Sequence, residues 1–403
     1  MLRWLSQCSH YIGMNIDTTA QIPDSVIPVD EFPILQHGLY ANHAAISPWP
    51  RVASQAVAAF ALENSETGAD NYKHWFLRET QLRKRLARLI NALSADDIAL
   101  LKNTTEGICT VATGIDWKSG DNMVLPADEF PSNRLPWLAL KRLGVEVREV
   151  DIRSSADPET ALLEQIDSRT RLLAVSAIQW TDGFRLKLET LGQFCQTNNV
   201  LFFVDAIQQL GAMQLDVQAC GIDFLAADGH KWLLAPEGIA VFFCREERRE
   251  QLQLSQHGWH MLDDPFQFGR KDWQTSTTAT RFEAGSPNTL GQVAMHASMG
   301  LLLDVGMSEV ESLITQNSKL LSAGLADMPG VTLLRPFDSD RVSGIVSFRP
   351  ANKDLVEVQQ ALSNRRLSTT VRGEAIRLSP HFYQAGKPVL EMLNIIESTL
   401  NTL

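Results

Sequence analysis

No run of apolar residues in this 403-residue chain approaches the length that a membrane-crossing helix needs. Basic surplus is missing too. Lys and Arg number 36 against 47 Asp and Glu, a net charge of -11, which argues against a nucleic-acid partner. Cysteine is sparse: Cys8, Cys109, Cys195, Cys220 and Cys244 are scattered, with no CxxC spacing, so neither a zinc site nor a disulfide framework is expected. No GxGxxG follows a strand pattern and no GxxxxGK[ST] occurs, which leaves a dinucleotide or nucleoside triphosphate site unsupported. Residues 1–15 lack the sustained apolar core of a secretory signal or anchor, so a cytoplasmic location is expected. Internal repeats, low-complexity tracts and long linkers are absent as well. What remains is an ordinary globular composition, 44% hydrophobic and 21% charged, on a chain long enough for two domains.

The pattern present is alternation. Short apolar runs at 98–101, 123–125, 145–150, 172–177, 201–204, 224–227 and 239–243 read as buried strands. Helical patterns at 54–63, 73–92, 106–115, 159–166 and 187–196 lie among them. This order predicts an α/β domain around a mostly parallel sheet with right-handed crossovers. In the helix at 73–92, Arg83, Lys84, Arg85 and Arg88 are expected on a solvated face. From about Leu290 the pattern changes to a long helical run, then short strands and helices, the mark of a smaller α+β unit. The expected division is an N-terminal arm at 1–36, a large domain at 37–289 and a small domain at 290–403.

Polar residues sit where the central apolar runs stop. Asp205 ends one; Asp228, Gly229, His230 and Lys231 end the next. Strand ends of a parallel sheet are where ligands bind. A lysine beside buried apolar strands is costly to keep charged, and its neutral amine can form a Schiff base with an aldehyde. An aspartate at a neighbouring strand end can pair with a pyridinium nitrogen, and the two roles together describe a pyridoxal phosphate (PLP) site. Upstream, Asn103, Thr104 and Thr105 form a polar turn between a strand and a helix that begins at Glu106, where unpaired first-turn amides favour phosphate. His257 and His260 are three apart, but no third metal ligand is apparent, and a loop reading is preferred.

Six pieces carry a resemblance: NTTEG at 103–107, DEFPSN at 128–133, VDAIQ at 204–208, DGHKW at 228–232, EAGSPN at 283–288 and RGEAIRLSPHFY at 372–383. In this order the chain resembles the class V aminotransferase family of PLP enzymes, fold type I, which includes cysteine desulfurases, kynureninases and isopenicillin epimerase-like proteins. The resemblance implies Lys231 as the Schiff-base lysine, Asp205 at the pyridinium nitrogen and Gln208 at the phenolic oxygen. It puts Phe130 against the ring face and Thr104, Thr105, Asp228 and His230 near the phosphate. Asp228 is expected to orient His230 or Thr105 rather than touch phosphate. Arg377 is implied as the clamp for the substrate carboxylate, with Arg372 as a helper or a salt-bridge partner. His43, Gln179 and Trp180 are candidates for the substrate pocket, His43 equally as a hydrogen-bonded loop histidine. Ser286 is implied to reach the cofactor of a second subunit, hence a homodimer with shared sites.

On this reading the chain is an enzyme using pyridoxal 5′-phosphate on an amino acid, first of all as an aminotransferase-type transferase. A lyase, an epimerase or a catalytically idle PLP-binding protein are the alternatives. Desulfurases have His where this chain has Phe130, and need a mobile cysteine shortly before the carboxylate arginine. Residues 371–377 read VRGEAIR, without cysteine, which argues against desulfurase chemistry.

Overall fold

The structure is a computed structural model that describes residues 29–335 and 339–403. Most of the expected arm at 1–36 lies outside the described residues. The apolar runs assemble into one seven-stranded sheet: β1 (Ile98–Leu101), β2 (Asn122–Pro126), β3 (Glu146–Val150), β4 (Thr170–Ser176), β5 (Leu201–Asp205), β6 (Phe224–Asp228) and β7 (Ala240–Cys244). Their order across the sheet is β1-β7-β6-β5-β4-β2-β3, and β7 alone runs against its neighbours.

The strands read as near-continuous apolar runs because both faces are covered. Successive side chains point to opposite faces. Phe202, Val204, Leu225 and Ala227 therefore enter one core layer, and Phe203, Phe224 and Ala226 the other. By the same alternation Asp205 and Asp228 both project on the second face. The helix Thr104–Gly114 covers that face through Ile108 and Val111. Gly107 lets it approach closely, since a Cβ there would lie 2.8 Å from the Ala226 Cβ.

The helical run after Leu290 is two helices, Thr289–Val305 and Met307–Ala326. Gly306, at φ 87°, supplies the break between them. A second, four-stranded sheet follows, built from β8 (Val331–Leu333), β9 (Val346–Pro350), β10 (Thr370–Arg372) and β11 (Ala375–Leu378) in the order β10-β11-β9-β8. The segment 367–372 is divided between two sheets. Its first two residues pair in parallel with Leu39–Tyr40, and the remainder forms the hairpin with β11. None of the helices among the described residues is long and apolar enough to cross a membrane.

One expectation is corrected. Arg83 is buried rather than solvated, and pairs with Glu79 and, at 2.6 Å, with Glu283. His260 joins them, with Nδ1 3.4 Å from Glu283. Possible ligand atoms of Glu79, His260 and Glu283 lie within 4.8 Å of one another, but the Arg83 guanidinium already bridges both carboxylates. Two buried anions need a cation, and Arg83 supplies it.

Candidate active site

The C-terminal ends of β1, β2, β4, β5 and β6 meet at one edge of the large sheet, and the polar residues gather there. Ser176, the last residue of β4, is in register with Asp205. Asp205 is 2% exposed, and one carboxylate oxygen accepts from the Ile207 amide at 3.0 Å. Burial pushes it up to about 6. Lys231 is 8% exposed, and burial brings it down to about 8 against the opposing pull of Asp205, with Arg377 adding to the fall. Its Nζ lies 5.6 Å from the centre of the Phe130 ring. Phe130 is itself 40% exposed and meets Trp180 edge to face at 5.5 Å, so it lines the cleft rather than the core.

The turn that carries Lys231 is held from several sides. Trp232 is fully buried and donates from its indole to Gln208 Oε1 at 3.0 Å, while Gln208 Nε2 donates to the Ala44 carbonyl at 3.0 Å. Gln208 thus positions the lysine turn and retains one N–H. The segment 38–50 crosses the turn: the Ser47 amide donates to the His230 carbonyl at 2.7 Å and its hydroxyl to the Lys231 carbonyl.

At the helix that follows β1, the Thr104 hydroxyl accepts from the Asp228 amide at 3.0 Å, and the Thr105 hydroxyl meets Ser132 at 2.8 Å. Asn103 caps the helix through the Glu106 amide. The Thr104 and Thr105 amides stand in its first turn, where no carbonyl of the helix can accept from them. His230 Nδ1 and Asp228 Oδ1 are 2.9 Å apart, yet lack the alignment of a hydrogen bond; both are buried without another partner. Such unpaired atoms are expensive unless a ligand completes them.

Arg377 comes from β11 and is 1% exposed. It donates from Nη1 to the Trp180 carbonyl at 2.6 Å, while Nε and Nη2 have no partner. Burial, then Arg372, lowers it to about 9, still a cation at neutral pH. Arg372 is half-buried and, among the described residues, donates only to the Val371 carbonyl. Gln179 is buried, with its side-chain amide 3.4 Å from Glu129. Trp180 donates from its indole to the Asp128 carbonyl at 3.1 Å.

Two expected residues stand apart from this group. His43 is fully buried, with Nδ1 2.9 Å from the Ser379 carbonyl and Nε2 2.6 Å from the Tyr383 hydroxyl, so neither nitrogen is left for a substrate. Burial holds it well below the usual imidazole range, hence neutral. Ser286 is exposed and makes no hydrogen bond to the other site residues. Four residues not singled out from the sequence belong here: Ser47, Ser132, Ser176 and Glu129. Glu129 is buried, accepts from the Ser176 amide at 2.7 Å and from its hydroxyl, and is pushed up to about 7 by burial. A charged residue directly before the stacking position was the available signal.

The chain is similar to known proteins over nearly its whole length. The family described as aminotransferase class-V matches residues 39–393. A probable cysteine desulfurase of Methanothermobacter thermautotrophicus is 28% identical over 382 residues, covering 89% of this chain and 94% of that protein. Two solved structures of C-DES are 25% identical with a TM-score of 0.84. One carries glycine covalently linked to its PLP cofactor and covers 91% of this chain and 98% of its own. The other, described as a cystine C-S lyase with its reaction product cysteine persulfide, covers 91% and 99%.

Proposed function

The chain belongs to the class-V aminotransferase family, and from that premise we propose that it is a pyridoxal 5′-phosphate enzyme acting at Cα of an α-amino acid, with amino-group transfer as its reaction. The observation that carries the reading is the meeting of three groups at one sheet edge: the Lys231 amine near 8, the buried Asp205 carboxylate and the unpartnered nitrogens of Arg377. Their chemistry fits the cofactor. Lys231 would hold the aldehyde carbon and Asp205 the ring nitrogen, with Phe130 against one ring face. The Thr104 and Thr105 amides, with the Thr105 and Ser132 hydroxyls, would hold the phosphate. When bound, PLP supplies an electron sink for the pair left at Cα.

The chain's own residues then divide the work. Arg377 can grip a carboxylate through two parallel charge-assisted bonds, which fixes the orientation of Cα. Lys231 is partly neutral near pH 8, so its amine can take the Cα proton and return it. Phe130 has no proton to exchange, which leaves that transfer to Lys231. Asp205 gains a cation to pair with once the ring is in place, which favours its charged form. Ser286, exposed on this chain, suits a contact with a second copy, and a homodimer is part of the proposal.

A second reading is a lyase that cleaves a C–S bond and leaves the sulfur on its product. The likeness to the cystine C-S lyase C-DES favours it. Among the described residues no protein thiol is at hand for sulfur transfer: Cys195, Cys220 and Cys244 are buried, and Cys109 lies half-buried on the helix Thr104–Gly114. The test is to incubate the holoenzyme with an amino-acid panel and a 2-oxo acid acceptor. A new 2-oxo acid with retained side chain supports transfer; pyruvate with released sulfur supports the lyase. A D-enantiomer, or no spectral response to any amino acid, defeats both. Full turnover by Lys231→Ala would remove the lysine from its role.

A further inference from the structure

The hairpin that carries Arg377 carries a second cation towards the same cleft. In β10 and β11, Thr370 stands opposite Arg377 and Arg372 opposite Ala375. Residues opposite each other in an antiparallel pair share a face, as do residues two apart on one strand. Arg372 and Arg377 therefore project from the same face of the hairpin. Both positive charges lower the Lys231 amine, so both heads lie within Coulomb range of it.

Neither head is neutralised by the protein. Arg377 retains two buried nitrogens without partners. Among the described residues, no carboxylate lies within ion-pair reach of Arg372, whose head donates only to the carbonyl of its neighbour Val371. The nearest acid in the turn, Glu374, is committed to Arg349. Two guanidiniums facing one cleft repel each other, and the cost grows as water is displaced. An α-carboxylate matches the two open nitrogens of Arg377 as a parallel pair, one oxygen to each. On the proposed function the cofactor phosphate is held by Thr104, Thr105 and Ser132, not by Arg372. Arg372 is left without an anion.

We infer that the amino acid accepted here carries a second anionic group on its side chain, a carboxylate or sulfinate, gripped by Arg372 while Arg377 grips the α-carboxylate. This rests on the reading of the cleft as a site for an α-amino acid. It makes Arg372 a specificity-determining residue that touches the substrate side chain.

The experiment has two arms. In the first, holoenzyme turns over L-glutamate, L-aspartate and cysteine sulfinate beside the neutral isosteres L-glutamine and L-asparagine. Acid should be preferred over amide, and Arg372→Gln should cut that preference about 10- to 100-fold, the worth of one charge-assisted bond. Arg372→Lys should retain part of it. In the second, calorimetric titration of the holoenzyme should show succinate or glutarate binding at least about tenfold more tightly than butyrate, the difference shrinking in Arg372→Gln. Equal turnover of acid and amide, or a preference that survives Arg372→Gln, overturns the inference while leaving the proposed function standing. Failure of every amino acid to react, with succinate still preferred, defeats the function and keeps the two-anion site. Poor folding of both variants leaves the wild-type comparison of succinate with butyrate to decide.

Discussion

Arg377 should oppose stability and activity, and Arg377→Met separates the two. The guanidinium is 1% exposed and is lowered to about 9, chiefly through burial. That fall corresponds to a cost on the order of 5 kcal/mol for holding the charge inside. The bond to the Trp180 carbonyl returns about 1.5–3 kcal/mol, as hydrogen bonds to charged groups do. Methionine has similar reach and no charge, so the apoprotein should gain about 2 kcal/mol in urea unfolding. The substrate loses two charge-assisted bonds of about 1.5–3 kcal/mol each, so kcat/KM should fall by about 10² to 10⁴. A variant that is less stable yet turns over nearly normally would refute the assignment: Arg377 would then be a packed structural cation with its partner elsewhere.

Other predictions address the lysine turn. Lys231 sits at about 8 in the fold against 10.5 free, so the folded apoprotein releases its proton first. Stability should therefore rise as pH passes from about 8 to 10.5, by up to about 3 kcal/mol, and Lys231→Met should flatten that rise in denaturation curves taken across the range. Gly211, at φ 92°, would place a Cβ 2.3 Å from the Trp232 carbonyl oxygen. Gly211→Ala should cost about 3 kcal/mol from left-handed strain and overpacking, and displace the turn that holds Lys231. Melting and PLP retained through gel filtration would show it; unchanged retention would mean the turn tolerates the shift.

The sheet was legible because covered parallel strands announce themselves as apolar runs, and all seven lie within a few residues of where they were read. Their ends then marked the edge at which Asp205, Asp228 and Lys231 meet. Pairings across long sequence distance were not legible. Leu39–Tyr40 is too short to read as a strand and exists because Leu367–Ser368 offers it an edge. Arg83 looked like one of several solvated charges on its helix, since nothing local says that Glu283, 200 residues away, folds back over it. His43 stood in a segment that resemblance assigns to the pocket, and only the proximity of Ser379 and Tyr383 shows that both nitrogens are spent. Glu129 was hidden by its own motif, where the aromatic beside it drew the reading.

The pairing of Leu39–Tyr40 with Leu367–Ser368 bears on how the molecule is made. The strap that crosses Lys231 begins just after it and is fastened again by Asn42 to Ser379. A nascent polypeptide has its lysine and both aspartates before residues 367–379, which fasten the strap, have been made. The cover over the Lys231 turn thereby depends on residues made well after the lysine itself, and a chain released before Leu367 lacks both fastenings.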